Sequence, residues 1–314
     1  MATRTWLGGT STDPTVAANW SGAAVPVNDD TVIVPASTAV AIVGADQSAI
    51  DVAELIIEDG YEEDIGSRTT PWSLGRAAGA DITWGGTGTA YLEIAGDNSG
   101  GDAFLRGSGT LYIASSGAEE LIDDMYISST SGTIYVGYKQ GDAAEIDTIH
   151  ITGAGTVYIG DAVTNTAADN GPAVYASAGT VYTRSKLATF SNRGATVTFS
   201  NCVAPTVTQE SGTIYFTGAG GVAITAMTIY AGSVYYNSGD TITSLVIGNG
   251  GTVDFASNTR GCTVTAVEMY GAGVYRDTSG AVAVGTTLDL NYTALSTATV
   301  DVGPNRRITT GAVA

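Results

Sequence analysis

Histidine is all but missing from this chain, and cysteine and basic clusters are scarce. One histidine, two cysteines and 12 Lys/Arg occur among 314 residues. A zinc site draws on several His or Cys ligands, so this chain is poorly supplied for one. Cys202 and Cys262 lie far apart, match no CxxC spacing, and are too few for a disulfide framework, so reduced buried thiols are expected. The 31 acidic residues leave a net charge of −19, the opposite of a surface built for nucleic-acid phosphates or anionic lipid. No apolar run is long enough for a membrane-spanning helix. The opening MATRTWLGG has no apolar h-region, so a secretory signal is not expected and folding in the cytoplasm is. Walker and dinucleotide fingerprints are missing as well. The GxG pieces lie in repeat corners rather than between a strand and a helix. No cofactor is expected.

What is plentiful is glycine, 42 residues without the every-third-residue period of collagen, set among Thr, Ser, Ala, Val and Tyr. Apolar residues reach 44%, enough to build a core. The short phrase GAGTVYIG (153–160) returns as SAGTVYTR (177–184) and ESGTIYFT (210–217). Its variants centre on Tyr91, Tyr112, Tyr135, Tyr158, Tyr182, Thr198, Tyr215, Tyr235, Asp254 and Tyr275, at steps of 16 to 24 residues. A period near 20 with slack in the loops is the mark of stacked supersecondary units.

Within each unit, apolar residues alternate with polar ones, as a strand with one buried face requires. Aligned copies place Ile224, Ile242 and Val264 in one inward slot. Met227, Leu245 and Val267 share the next, and Ile229, Ile247 and Met269 the third. Val234, Val253 and Val274 follow the turn. The same register takes in Val52, Leu55, Ile57, Leu105, Leu111, Ile146, Ile149, Ile151 and Val157. Strands this short, broken by Gly, wind as coils that pair in parallel with the coil before. Gly, Thr and Val throughout disfavour helix. The expected fold is therefore all-β: a right-handed parallel β-helix, or β-solenoid, with about 20-residue coils and about 11–13 of them. Residues 1–30 are expected to form an N-terminal cap or anchor, 31–286 the solenoid, and 287–314 terminal strands and a tail.

In this frame the motif tyrosines point outward and form a column, with Tyr112, Tyr135, Tyr158, Tyr182, Tyr215 and Tyr235 as candidate binding residues. Two readings stand: mutual stacking that steadies the ladder, or an aromatic strip for a protein partner or sugar rings. Asp254 takes the tyrosine slot and Glu268 is outward one coil on, making them the best candidate carboxylate pair for glycoside cleavage. His150, between Ile149 and Ile151, is expected to face out; no nucleophile elbow accompanies it. Asp97, Asn98 and Asp102 form a weak calcium candidate without EF-hand spacing. Acidic clusters at Glu58, Asp59, Glu62, Glu63 and Asp64, and at Glu119, Glu120, Asp123 and Asp124, read as charged corners that discourage sideways association. Loops at 138–145 and 160–172 are natural contact points, and Arg306 and Arg307 are the only adjacent arginines.

The lead-in TWLGG, ANWS, VP and DDTVIVP, followed by repeats of the GSGTLYI type, resembles β-solenoid virion proteins of tailed bacteriophages. The lead-in is also similar to the start of autotransporter-type surface solenoids, which carry a signal peptide and a membrane barrel. The phage resemblance implies a non-enzymatic structural protein localised to the virion, a capsid decoration, cement or head-fibre protein. Its partners would be the major capsid protein or tail components, with self-association into trimers or dimers, a host-surface glycan as a further partner, and no nucleic acid or membrane. A tailspike-like polysaccharide depolymerase and a glycan-binding adhesin are the alternatives. The resemblance brings no catalytic positions with it.

Overall fold

In the computed structural model the described residues are 1–95, 100–115, 121–138, 144–160, 163–164, 171–200, 205–218, 224–290 and 298–302. The chain is all-β, its parallel strands stacked as a β-solenoid of about 11 turns with about 21 residues per turn. It divides into two compact units, one built on residues 1–173 and the other on the chain from 181 onward.

The first unit lays two stacks of parallel strands. One runs through Thr3–Thr5, Thr31–Val34, the end of Asp46–Ile57, the end of Trp72–Trp84, Ala103–Leu105, Leu121–Ile127 and Ala144–Ile151. The other runs through the start of Asp46–Ile57, the start of Trp72–Trp84, Thr89–Ala95, Thr110–Ser115, Thr133–Val136 and Thr156–Ile159. The two long strands serve both stacks by bending, with register shifts between Gln47 and Asp51 and between Val52 and Glu54. Inward slots repeat like on like. Val32, Leu55 and Ile82 are fully buried in one column, and Leu111, Ile134 and Val157 in another. Each such side chain contributes about 1.5–3 kcal/mol of burial.

The Gly-Thr of the repeat has a steric origin. A Cβ on Gly109 would lie 2.1 Å from the carbonyl oxygen of Gly88, one turn earlier, so the corner backbones meet directly. Thr89, Thr110, Thr133 and Thr156 then stack in register on the outer face. The N-terminal segment takes part in the first turns. Thr3–Thr5 adds a strand beside Thr31–Val34, while Trp6 and Trp20 pack edge to face at 5.2 Å, both buried. Asn19, fully buried, holds the loop before it by accepting from the backbone N–H groups of Thr10 and Ser11 and donating to the Asp13 carbonyl.

The second unit repeats the plan. Its first stack joins the start of Thr189–Ser200 and of Thr206–Gly218 to Ile224–Ile229, Ile242–Ile247, Cys262–Met269 and Val282–Leu290. Its second joins their later halves to Gly232–Ser238, Gly251–Asp254, Val274–Arg276 and Thr299–Asp301. The expected slots hold for Ile224–Ile242–Val264, Met227–Leu245–Val267 and Ile229–Ile247–Met269, all buried.

One expected slot is corrected. Val253 faces Tyr275, not Val274, so Tyr275 turns inward and Arg276 takes the outward place. The turn after Met269 has the same length as that after Ile247, six residues from inward slot to inward slot, one more than after Ile229. Tyr275 thereby joins a buried aromatic column of Phe199, Phe216, Tyr236 and Phe255, with successive ring centroids 4.7–5.4 Å apart. Cys262 is buried and unpaired, its thiol pushed up to about 12 by burial first and then by Asp277 and Asp240. Cys202 lies outside the described residues.

Candidate functional site

Outward side chains of the first unit stand on strands whose alternation is fixed by the buried columns beneath, so equivalent residues stack one turn apart. Tyr91, Tyr112, Tyr135 and Tyr158 occupy one register slot. Their rings lie nearly parallel, 3–6° between planes, with centroids 4.3, 4.3 and 4.6 Å apart. Tyr138 adds an edge-on contact to Tyr91 and Tyr112. Rings so close cover one another's faces and leave mainly edges and hydroxyls to solvent, which is the geometry of mutual stacking. Burial, then the neighbouring phenol, raises the Tyr112 and Tyr135 hydroxyls above their ordinary value, keeping them neutral.

A second outward column of the same unit stacks Phe104, Tyr126 and His150 at 5.3 and 5.0 Å. His150 faces out as its position between Ile149 and Ile151 requires, with Nε2 3.8 Å from Asp124, while the Tyr126 hydroxyl donates to Asp124 at 3.0 Å. Asp81, Asp102 and Asp124 follow one another up an adjacent line, and the Asp102 N–H donates to Asp81 at 2.9 Å. Partial burial first, then Asp124, Asp81 and Asp123, raises the Asp102 carboxyl. Among the described residues no group of three His, Cys, Asp or Glu is placed to hold a metal. Asp97 and Asn98 lie outside them, as do Glu119, Glu120, Arg306, Arg307 and most of the loops at 138–145 and 160–172. At the other expected acidic corner, Glu58 accepts from the Ala36 N–H, Asp59 pairs with Arg106 at 3.0 Å, and Asp64 accepts from the Thr89 N–H.

In the second unit Thr198, Tyr215, Tyr235, Asp254, Arg276 and Asp301 share the outward slot. Tyr215 and Tyr235 stack at 5.1 Å and are, with Tyr182, about two-fifths exposed. Above them the column becomes ionic. Asp254 accepts from Arg276 at 3.0 Å and from the Ala256 N–H at 2.7 Å, and Arg276 lies 3.8 Å from Asp301. The expected carboxylate pair is therefore not assembled. Asp254 is 9% exposed and engaged, and Glu268 belongs to the other strand stack, beside Val246 and Asp289. Glu268 follows Asp254 by only 14 residues, less than the turn of about 21, so it falls on the other of the two strands that each coil contains.

The feature that sequence reasoning missed is a recess in the first unit. Asp46, Ser73 and Glu93 fall on three consecutive rungs in one register column. They line an open concavity of about 400 Å³ with Ser48, Thr70 and Pro71 on its walls. Glu93 is 8% exposed and accepts from the Ser73 hydroxyl at 3.1 Å. Asp46 accepts from both the hydroxyl and the N–H of Ser48, which lower its pKa in that order. The signal was hidden because Asp46 and Ser73 precede the first copy of the repeat, at Tyr91, while Glu93 falls two residues beyond that tyrosine.

Comparison with protein-family models, with curated proteins and with solved structures finds no match to this chain.

Proposed function

We propose that this protein is a non-catalytic structural component of a bacteriophage virion, a decoration, cement or head-fibre protein that serves as a rigid spacer. One observation carries the reading. In each unit an outward column is engaged from turn to turn: Tyr91 to Tyr158 by stacking, Asp254 to Asp301 through Arg276. Side chains held this way stiffen a ladder and leave little that is free to move through a reaction cycle. The acidic balance supports solubility beside nucleic acid without attachment to it. The partners under this reading are the major capsid protein or tail components, together with further copies of the chain, whose many weak contacts add through multivalency.

Immunogold labelling of purified particles from the encoding phage tests the assignment. Gold at regular positions on heads or tails is the expected result; gold on debris alone, with intact particles bare, overturns it. The recess at Asp46 and Glu93 favours a second reading, a polysaccharide depolymerase, since two carboxylates on one face are what glycoside cleavage requires. Incubation with capsule or lipopolysaccharide separates the two. New reducing ends that disappear in Glu93→Gln would replace the structural reading with the enzymatic one.

A further inference from the structure

The recess carries an inference that stands apart from the particle assignment. We propose that the concavity around Asp46, Ser73 and Glu93 is a binding site for a neutral saccharide.

The first support is that this column departs from the ones beside it. On the neighbouring outer columns of the same strand stack like sits on like, tyrosine on tyrosine and threonine on threonine. Here the column reads Asp46, Ser73, Glu93 and then Ala114, and Glu93 is a carboxylate withdrawn almost completely from solvent. Burying a carboxylate costs stability unless it gains partners, and the Ser73 hydroxyl supplies one of them.

The second support is shape. The volume of about 400 Å³ falls within the range of small-molecule sites, about 300–1,000 Å³. Three rungs span about 9–10 Å at the usual strand spacing, a length that suits a short oligosaccharide. The wall is built before any ligand arrives. A Cβ on Gly44 would fall 1.6 Å from the Thr70 carbonyl oxygen, so the turn rests directly on backbone. That turn is closed by the Ser67 N–H donating to the Thr70 carbonyl at 2.9 Å and by a 2.7 Å contact between the two hydroxyls.

The third support is chemistry. Carboxylate acceptors at Asp46 and Glu93, hydroxyls at Ser48, Thr70 and Ser73, and the apolar ring of Pro71 surround one space. A sugar offers hydroxyl donors and acceptors around its rim and C–H groups on its faces, and so meets all three kinds of surface. Two carboxylates oppose phosphate, sulfate or a uronate. Calcium takes six to eight oxygen ligands, whereas both carboxylates here already accept hydrogen bonds from serine.

The test uses the full chain on an array of neutral oligosaccharides, followed by titration calorimetry with the strongest binder. Binding is expected, weakened at least tenfold by Glu93→Gln and by Asp46→Asn at an unchanged unfolding midpoint, and blocked by Thr69→Trp at the exposed rim. Tyr135→Phe, in the stacked column, should leave it intact. No neutral oligosaccharide bound, or binding that survives both carboxylate substitutions and the rim block, overturns the proposal. Calcium chloride titrated alone provides a further arm. Tight calcium uptake lost in both carboxylate variants, with no saccharide bound, would make this a cation site and equally overturn it. Particle labelling is unaffected by any of these outcomes, so the two proposals fail separately.

Discussion

The two units solve the same stacking problem with opposite placement of aromatic mass. At the motif slot and the one after it, the first unit sets Tyr91, Tyr112, Tyr135 and Tyr158 outside and Leu92, Ile113, Val136 and Ile159 inside. The second sets Phe199, Phe216, Tyr236 and Phe255 inside, while its outer column passes from tyrosine to alternating Asp and Arg. The lesson is that coil phase does not depend on which slot is bulky. Strand alternation and corner backbones that touch set it. Gly212, at φ +81° and with the Ala195 carbonyl oxygen 2.4 Å from where a Cβ would sit, marks the corner in the second unit as Gly109 does in the first.

The comparison can be broken most forcefully at the inner rings. Phe216→Ala removes the middle of the buried column and should cost about 3–5 kcal/mol, read from urea unfolding. A loss below about 1 kcal/mol would mean that the ring column is not what fills this core. Next comes the carboxylate at the N-terminal end of the first unit. Asp30, almost fully buried, accepts from the Ala2 and Val27 N–H groups and from Arg4 Nε at 2.6, 3.2 and 3.1 Å. Burial raises its pKa, but these donors and the Arg4 charge outweigh that, so the folded value lies below the ordinary one. A lowered folded value means that the unfolded chain binds the proton more readily. The contribution is therefore complete above the unfolded value of about 3.9 and fades as pH falls through the folded one. Asp30→Ala should cost about 2–3 kcal/mol at neutral pH by leaving buried donors unmet, and should flatten the acid limb of a stability–pH curve. An acid limb identical to the parent's would remove Asp30 from the account.

Tyr135→Ala opens the outer stack of the first unit between two parallel neighbours, at a cost of about 1–2 kcal/mol. Tyr135→Phe should be close to neutral, because face contact rather than the hydroxyl holds the stack; an equal loss in both variants would reverse that. Smallest is the ionic column of the second unit. Arg276 is nearly half exposed, so Arg276→Ala should cost under about 1 kcal/mol and lose most of that effect in high salt. A double-mutant cycle with Asp254→Asn measures the pair directly.

The solenoid was legible because alternation and period are local properties that the sequence displays, and the C-terminal inward slots followed from them almost without exception. The exception, Tyr275, turned on one residue of turn length that a Gly-rich corner conceals. The candidate carboxylates show the same limit. Asp254 was placed in the right slot, but its partner Arg276 was not seen, because that arginine had been displaced by the register error at Val274. The recess was invisible for a different reason. Asp46, Ser73 and Glu93 lie 27 and 20 residues apart, the first two on bent strands with register shifts, so no fixed period connects them. Stacks repeat; recesses interrupt repetition, and interruption has no periodic signature.

All four tryptophans, Trp6, Trp20, Trp72 and Trp84, sit in the core of the first unit, and the second contains none. Indole-selective excitation therefore views one half of the molecule and is blind to the other, whose interior reports through phenol and phenyl absorbance. A single cuvette can thus record whether the halves melt together or in turn, without a label being attached to either.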